Sequence, residues 1–228
     1  MRPLAPFLSM IVLVCALGSS TLAQSRPAFF DQPSVIERVG TITEGQRVPL
    51  IVLLPPTGGD ARWVTPPPGI GPCVLLITPG QPARSDYLPA FSRYLDWVEA
   101  RVMADVERAI AEQPIDPDRI YLAGFSLGGD VGWGLLTRHP ERFRGAVVMG
   151  SRSSARPRSS AIETMRSRGV RVAFVMGSAD DATRRTGAQR AYESLVRSRI
   201  TTQRFEHAGA HEMPPRELYA RALTFVME

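Results

Sequence analysis

From Val48 to the end of the chain, short runs of Val, Ile and Leu alternate with longer amphipathic stretches, and this alternation admits few folds. The runs Val48–Leu54, Cys73–Thr78, Arg119–Ala123, Gly145–Met149, Val170–Met176 and Thr201–Phe205 read as strands, with Val35–Val39 as an added edge. Between them, Leu88–Glu112, Leu127–Arg138, Ala161–Arg168, Arg184–Arg199 and Pro215–Val226 read as helices. In the first of these, Leu95, Val98, Val102, Val106 and Ala109 recur at three- and four-residue steps and make one apolar stripe. The expected class is therefore α/β, a mostly parallel central sheet flanked by helices. The stretch Ala61–Pro72, with its four prolines and two glycines, is a poor helix and breaks the strand–helix repeat.

A chain of 228 residues with 44% hydrophobic content fills one core and not comfortably two. Met1-Arg2, the apolar stretch Phe7–Leu17 and the small-residue ending Thr21-Leu22-Ala23 have the form of a signal peptide. The expected organisation is a signal peptide over residues 1–23 and a single domain over 24–228, secreted or periplasmic. No later run approaches the roughly 18 apolar residues of a membrane span, so no stable membrane insertion is expected after cleavage. Cys15 leaves with the signal and Cys73 stays alone, which excludes an intramolecular disulfide.

All 27 basic residues are arginine, and the formal net charge is +5. The densest set, Arg152, Arg156, Arg158, Arg166, Arg168 and Arg171, has no interleaved aromatics. It reads as a solvated face, with anion or nucleic-acid binding as the other reading; no nucleic-acid partner is expected.

The chemistry is carried by Gly124-Phe125-Ser126-Leu127-Gly128, which follows an expected strand and opens an expected helix. A sharp strand-to-helix turn there forces Ser126 into a strained conformation, and the flanking glycines relieve the crowding. The bland alternative is a glycine-rich turn with a capping serine. A serine hydroxyl needs an adjacent base, and the chain has 3 histidines. His139 precedes Pro140 at a helix end and reads as a C-terminal cap. The base is read as His211, on a loop after Ala208-Gly209-Ala210, with His207 at the end of the last strand as its competitor. A zinc site at this pair is disfavoured, because Gly209 and Pro214 oppose the helix that would align two histidine ligands.

A carboxylate must orient the imidazole, and Gly177-Ser178-Ala179-Asp180-Asp181 directly follows a strand. Asp180 is read as that acid and Asp181 as the alternative; whichever is not used caps the next helix. The developing oxyanion needs donors. One is the backbone N–H of Leu127. The other is expected after Leu53-Leu54-Pro55-Pro56, where proline offers no N–H and Thr57 is the first residue that does. Gln81, after Thr78-Pro79-Gly80, is the other candidate.

These residues resemble secreted α/β-hydrolase serine esterases of the polyhydroxybutyrate-depolymerase-like, feruloyl-esterase-like and phospholipase/carboxylesterase-like groups. Pro49–Leu54 resembles the strand leading to their oxyanion loop, and Ile115–Tyr121 the segment before their elbow. Gly177–Asp180 and Ala208–Pro214 resemble their acid and histidine loops, in the chain order Ser126, Asp180, His211. The resemblance covers the chain from about Val48 and implies an α/β-hydrolase fold, expected from the residues below to be compact and without a lid domain. It departs from the family at Pro55-Pro56, where members usually carry His-Gly. The expected function is hydrolysis of a carboxylic ester, on a small molecule or linked to a polymer, with no cofactor and no metal. The rivals are a silent binding protein of the same fold, and an acyltransferase or peptidase using the same triad. Nothing in the sequence sets an oligomeric state. Ser151–Ser160 has no large apolar side chain and cannot form the oily cover of a lipase, so the site is expected to be open and to prefer short acyl groups.

Overall fold

The computed structural model describes residues 32–80 and 91–228. The segment read as a signal peptide, Gln81, and the expected first turn of the helix at Leu88 lie outside the described residues. Seven strands form one sheet: β1 (Val35–Val39), β2 (Val48–Leu54), β3 (Cys73–Ile77), β4 (Ile115–Phe125), β5 (Gly145–Met149), β6 (Arg171–Gly177) and β7 (Thr201–His207). Their order is β1-β3-β2-β4-β5-β6-β7. β1 runs antiparallel to β3 and every other pairing is parallel. The helices are α1 (Phe91–Glu112), α2 (Leu127–Arg138), α3 (Ser159–Ser167), α4 (Ala182–Arg197) and α5 (Arg216–Met227).

The sheet is apolar through both faces because both are covered. In β2, Leu50, Val52 and Leu54 join the core under α1 to α4, while Ile51 and Leu53 join the core under α5. The stripe Leu95, Val98, Val102, Val106 and Ala109 of α1 is buried in the first of these. Among the described residues the second face is held by α5, through Tyr219, Ala222, Leu223 and Val226, and by a short 3₁₀ turn at Ala61–Val64. Each fully buried Leu or Val there contributes about 1.5–3 kcal/mol. The Tyr219 hydroxyl also donates to Val64 O at 2.6 Å, tying α5 to that turn. The prolines after it leave Ala61–Pro72 without a full helix, as its composition dictates.

The strands and helices fall where the periodicity places them, with two instructive extensions. β4 begins at Ile115, four residues before the apolar run, because its register with β2 jumps from Val48↔Ile115 to Leu50↔Ile120. The extra residues bulge outward at Pro117, which has no N–H for the ladder, and Asp116 Oδ1 accepts from Asp118 N at 3.0 Å. β7 continues two residues beyond Phe205, since backbone pairing of Met176↔Glu206 and Gly177↔His207 does not depend on apolar side chains at a sheet edge. Cys73 is fully buried, and desolvation pushes its thiol up to about 11, so it stays protonated and unreactive. No helix among the described residues is long and apolar enough to cross a membrane.

Candidate active site

β4 passes into α2 with Ser126 as the single residue between them. Its backbone sits at φ 57°, ψ −118°, a region costly for a residue with a Cβ. Ser126 N donates to Met149 O at 2.9 Å and Asp130 N donates to Ser126 O at 3.0 Å, which fix the turn from both sides. The turn is tight enough that a Cβ on Gly124 would lie 2.2 Å from Gly128 O, and one on Gly128 2.1 Å from Leu54 O. Neither position tolerates a side chain, and the second contact seats the loop after β2 directly against the elbow.

The loops after β6 and β7 are tied together, with Ser178 N donating to His207 O at 2.8 Å and Ala179 N to Gly209 O at 3.0 Å. That pairing brings His211 over Ser126. Its Nδ1 lies 2.9 Å from Asp180 Oδ2 and its Nε2 lies 2.8 Å from Ser126 Oγ. A carboxylate only accepts, so Nδ1 carries the hydrogen, and Nε2 is left to accept from the serine hydroxyl. The Asp180 side chain is 1% exposed and that of His211 32%, so the acid is sealed while the imidazole is reached from solvent. Phe125 stacks on the imidazole, with ring centroids 4.9 Å apart and planes 26° apart.

The competing residues have other work. Asp181 Oδ1 accepts from Arg184 N at 2.9 Å as the N-cap of α4, the role expected for the unused acid. His207 Nδ1 accepts from Gly209 N at 3.2 Å within the loop and does not bond Ser126. His139 caps α2 through its N–H to Leu135 O, its ring between Glu99 and Glu141.

Leu127 is the first residue of α2, where N–H groups have no intrahelical acceptor. Thr57 occupies the turn closed by Gly59 N donating to Pro56 O at 3.1 Å, and its own amide has no partner among the described residues. Among the described residues no cluster of three or more His, Cys, Asp or Glu side chains is arranged to hold a metal ion.

Two contributors are not apparent from the elbow motif. Phe125 is one of its unconstrained positions, and its stacking depends on a loop distant in sequence. Asp130 is 5% exposed on α2, and its Oδ1 accepts from Ser151 Oγ at 2.7 Å, Arg152 N at 2.8 Å and Ser153 N at 3.1 Å. Desolvation holds its pKa above the ordinary carboxylate value despite those bonds. A lone charge inside the apolar run Leu127–Leu136 is the sequence signal that such an acid needs buried partners.

Comparison with known proteins agrees with this architecture. The family described as alpha/beta hydrolase fold matches residues 75–210, more than half of the chain. Among solved structures, esterase PE8 is 15% identical, with a TM-score of 0.61 over 85% of this chain and 98% of that one. Acyl-protein thioesterase 2 of Zea mays is 15% identical, with a TM-score of 0.58 over 85% and 99%. S-formylglutathione hydrolase of Staphylococcus aureus is 14% identical, with a TM-score of 0.57 over 82% and 84%. A search of curated proteins by sequence found no match. At such identities the structures speak for the fold, and the family match completes the assignment: the chain belongs to the alpha/beta hydrolase family.

Proposed function

We propose that the chain is a serine hydrolase that cleaves carboxylic esters through an acyl-enzyme on Ser126. The observation that carries this reading is the unbroken line from Asp180 Oδ2 through His211 to Ser126 Oγ, at 2.9 and 2.8 Å, on a strained strand-to-helix turn. Oγ attacks the ester carbonyl as His211 Nε2 takes its proton. The imidazolium then returns that proton to the departing alcohol oxygen as the acyl C–O bond breaks. In the second half a water gives its proton to the same nitrogen and attacks the acyl-enzyme, releasing the acid and restoring Ser126. Asp180 stabilises the imidazolium at each stage. The oxyanion is assigned to the N–H of Leu127 and the N–H of Thr57, both without an internal acceptor. The activities named for esterase PE8 and acyl-protein thioesterase 2 support acyl hydrolysis on this fold. A signal peptide over residues 1–23 would place this chemistry outside the cytoplasm, secreted or periplasmic.

The acid can be tested separately. Asp180 Oδ1 already accepts from Asp181 N at 2.7 Å. In Asp180→Asn the amide oxygen keeps that bond and the NH₂ group faces Nδ1, which imposes the tautomer with the proton on Nε2, unable to accept from serine. Turnover is expected to fall by about 10³ to 10⁴. Asp181→Asn keeps an equally good cap and is expected to stay within about threefold of wild type. Steady-state kcat on one short ester compares them, and equal small losses would place the acid elsewhere.

Substrate length follows from the loop between β5 and α3. Ser151-Arg152-Ser153-Ser154-Ala155-Arg156 offers no apolar wall, and a buried methylene is worth about 0.8 kcal/mol only where such a wall exists. The expected substrates carry short acyl groups, on a small alcohol or on an accessible position of a polymer. Measuring kcat/KM for p-nitrophenyl esters from acetate to palmitate tests the proposal. The expected maximum lies at acetate or butyrate, without activation above substrate solubility; a maximum at laurate or longer would overturn it.

A further inference from the structure

The same β5–α3 loop and α4 line a half-open cavity of about 910 Å³ whose wall includes Arg152, Arg156, Arg190 and Arg197, with the hydroxyls of Thr183 and Thr186 beside them. Among the described residues no carboxylate lines it. Arg152 is balanced from behind by Asp130 at 3.6 Å, and Arg197 by Glu193 at 3.8 Å. The side chains of Arg156 and Arg190 make no hydrogen bond or ion pair among the described residues. Other arginines of this chain are matched with acids, as Arg138 with Asp96 and Glu99, or Arg204 with Glu206. A merely solvated face needs no cavity and gains nothing from gathering like charges around one.

The wall is built rather than incidental. The three bonds to Asp130 Oδ1 pin Ser151, Arg152 and Ser153. On the other side α4 lies so close that a Cβ on Gly187 would be 1.9 Å from Arg152 O. Ser126, Asp180 and His211 are not part of its wall, but the two segments that line it both begin beside the triad. Gly150, two residues before Arg152, backs the imidazole, its added Cβ falling 3.2 Å from His211 Cε1. α4 starts two residues after Asp180. Arg184, in the first turn of α4, is held below the ordinary guanidinium range by burial and then by the like charge of Arg152, with Asp180 and Asp130 acting the other way.

We propose that this cavity is a subsite for an anionic group, a carboxylate or a phosphate, carried by the ester that Ser126 cleaves. This rests on the reading of Ser126 as nucleophile. Guanidinium groups bind both anions in bidentate fashion, and two of the four lack an internal partner. A volume of about 910 Å³ fits a substrate portion of several atoms rather than a lone ion.

The test uses acetate esters of three alcohols with graded alkyl spacers: ω-hydroxyalkanoates, ω-hydroxyalkyl phosphates and uncharged ω-hydroxyalkanamides. At the best spacer, one anionic series is expected to exceed the amide in kcat/KM by about tenfold or more, and the preferred anion identifies the source. The advantage should shrink with added salt. In the Arg156→Gln/Arg190→Gln protein it should fall below about threefold while the amide is cleaved as before. No advantage at any spacer, or one that survives the double substitution, overturns the subsite. Titrating the same esters into the Ser126→Ala protein keeps the two readings apart. Tighter binding of the anionic ester, lost with the arginines, supports the subsite even if no ester is hydrolysed, and equal binding of charged and uncharged esters overturns it.

Discussion

Replacing Ser126 by alanine is expected to lower ester turnover by about 10⁴ to 10⁶ and to leave the fold standing. The loss is chemical: without Oγ there is no covalent intermediate, and the 2.8 Å bond to His211 has no counterpart. It corresponds to about 5.5–8 kcal/mol of lost transition-state stabilisation. The fold persists because alanine keeps the Cβ that already occupies the φ 57° turn, and the backbone bonds to Met149 and Asp130 do not involve the hydroxyl. A thermal melt within about 1 kcal/mol of wild type, beside the kinetic loss, is the expected pair of results. Retention of most activity in the variant would remove Ser126 from the mechanism.

His211→Ala is expected to be nearly as damaging, at about 10⁴ or more, and His207→Ala to cost less than about tenfold. The imidazole of His211 is the group positioned to take the serine proton, and its Nδ1 bond to Asp180 fixes its tautomer. His207 donates nothing to that line; its loss removes one bond of 3.2 Å from Gly209 N, worth about 0.5–1.5 kcal/mol of stability. Comparing kcat of both variants on the same short ester separates the two histidines. The reverse ranking would mean that His207 is the base.

Most of the fold is legible in the sequence because apolar periodicity reports burial, and burial here follows the elements closely. The stripe of α1, the apolar runs of β2, β5 and β6, and the helix opening at Leu127 all coincide with what the core requires. Legibility ends where backbone pairing acts without apolar side chains, as at the bulged start of β4 and the last residues of β7. In the site, Ser126 and Gly128 can be read locally because the turn imposes them on a few consecutive residues. The choice of Asp180 over Asp181 is different. Both follow the same strand, and only the position of His211 on a separate loop shows which carboxylate meets the imidazole and which caps α4. Phe125 is invisible for the same reason, and the lone charge of Asp130 signals a need for buried partners without naming them, since they come from Ser151 to Ser153. That Arg152 and Arg156 share a cleft with Arg190 and Arg197 is not readable in the linear segment, because α4 supplies the other wall.

If Ser126 is an activated nucleophile it reacts with a fluorophosphonate, because the reagent phosphonylates only a serine whose proton is removed by a positioned base. Intact-mass and peptide analysis of the native protein after treatment is expected to show one adduct, on Ser126, that is absent in His211→Ala and in heat-denatured protein. No adduct on the native protein, or an adduct on another serine with Ser126 unmodified, would mean that Ser126 is not the nucleophile.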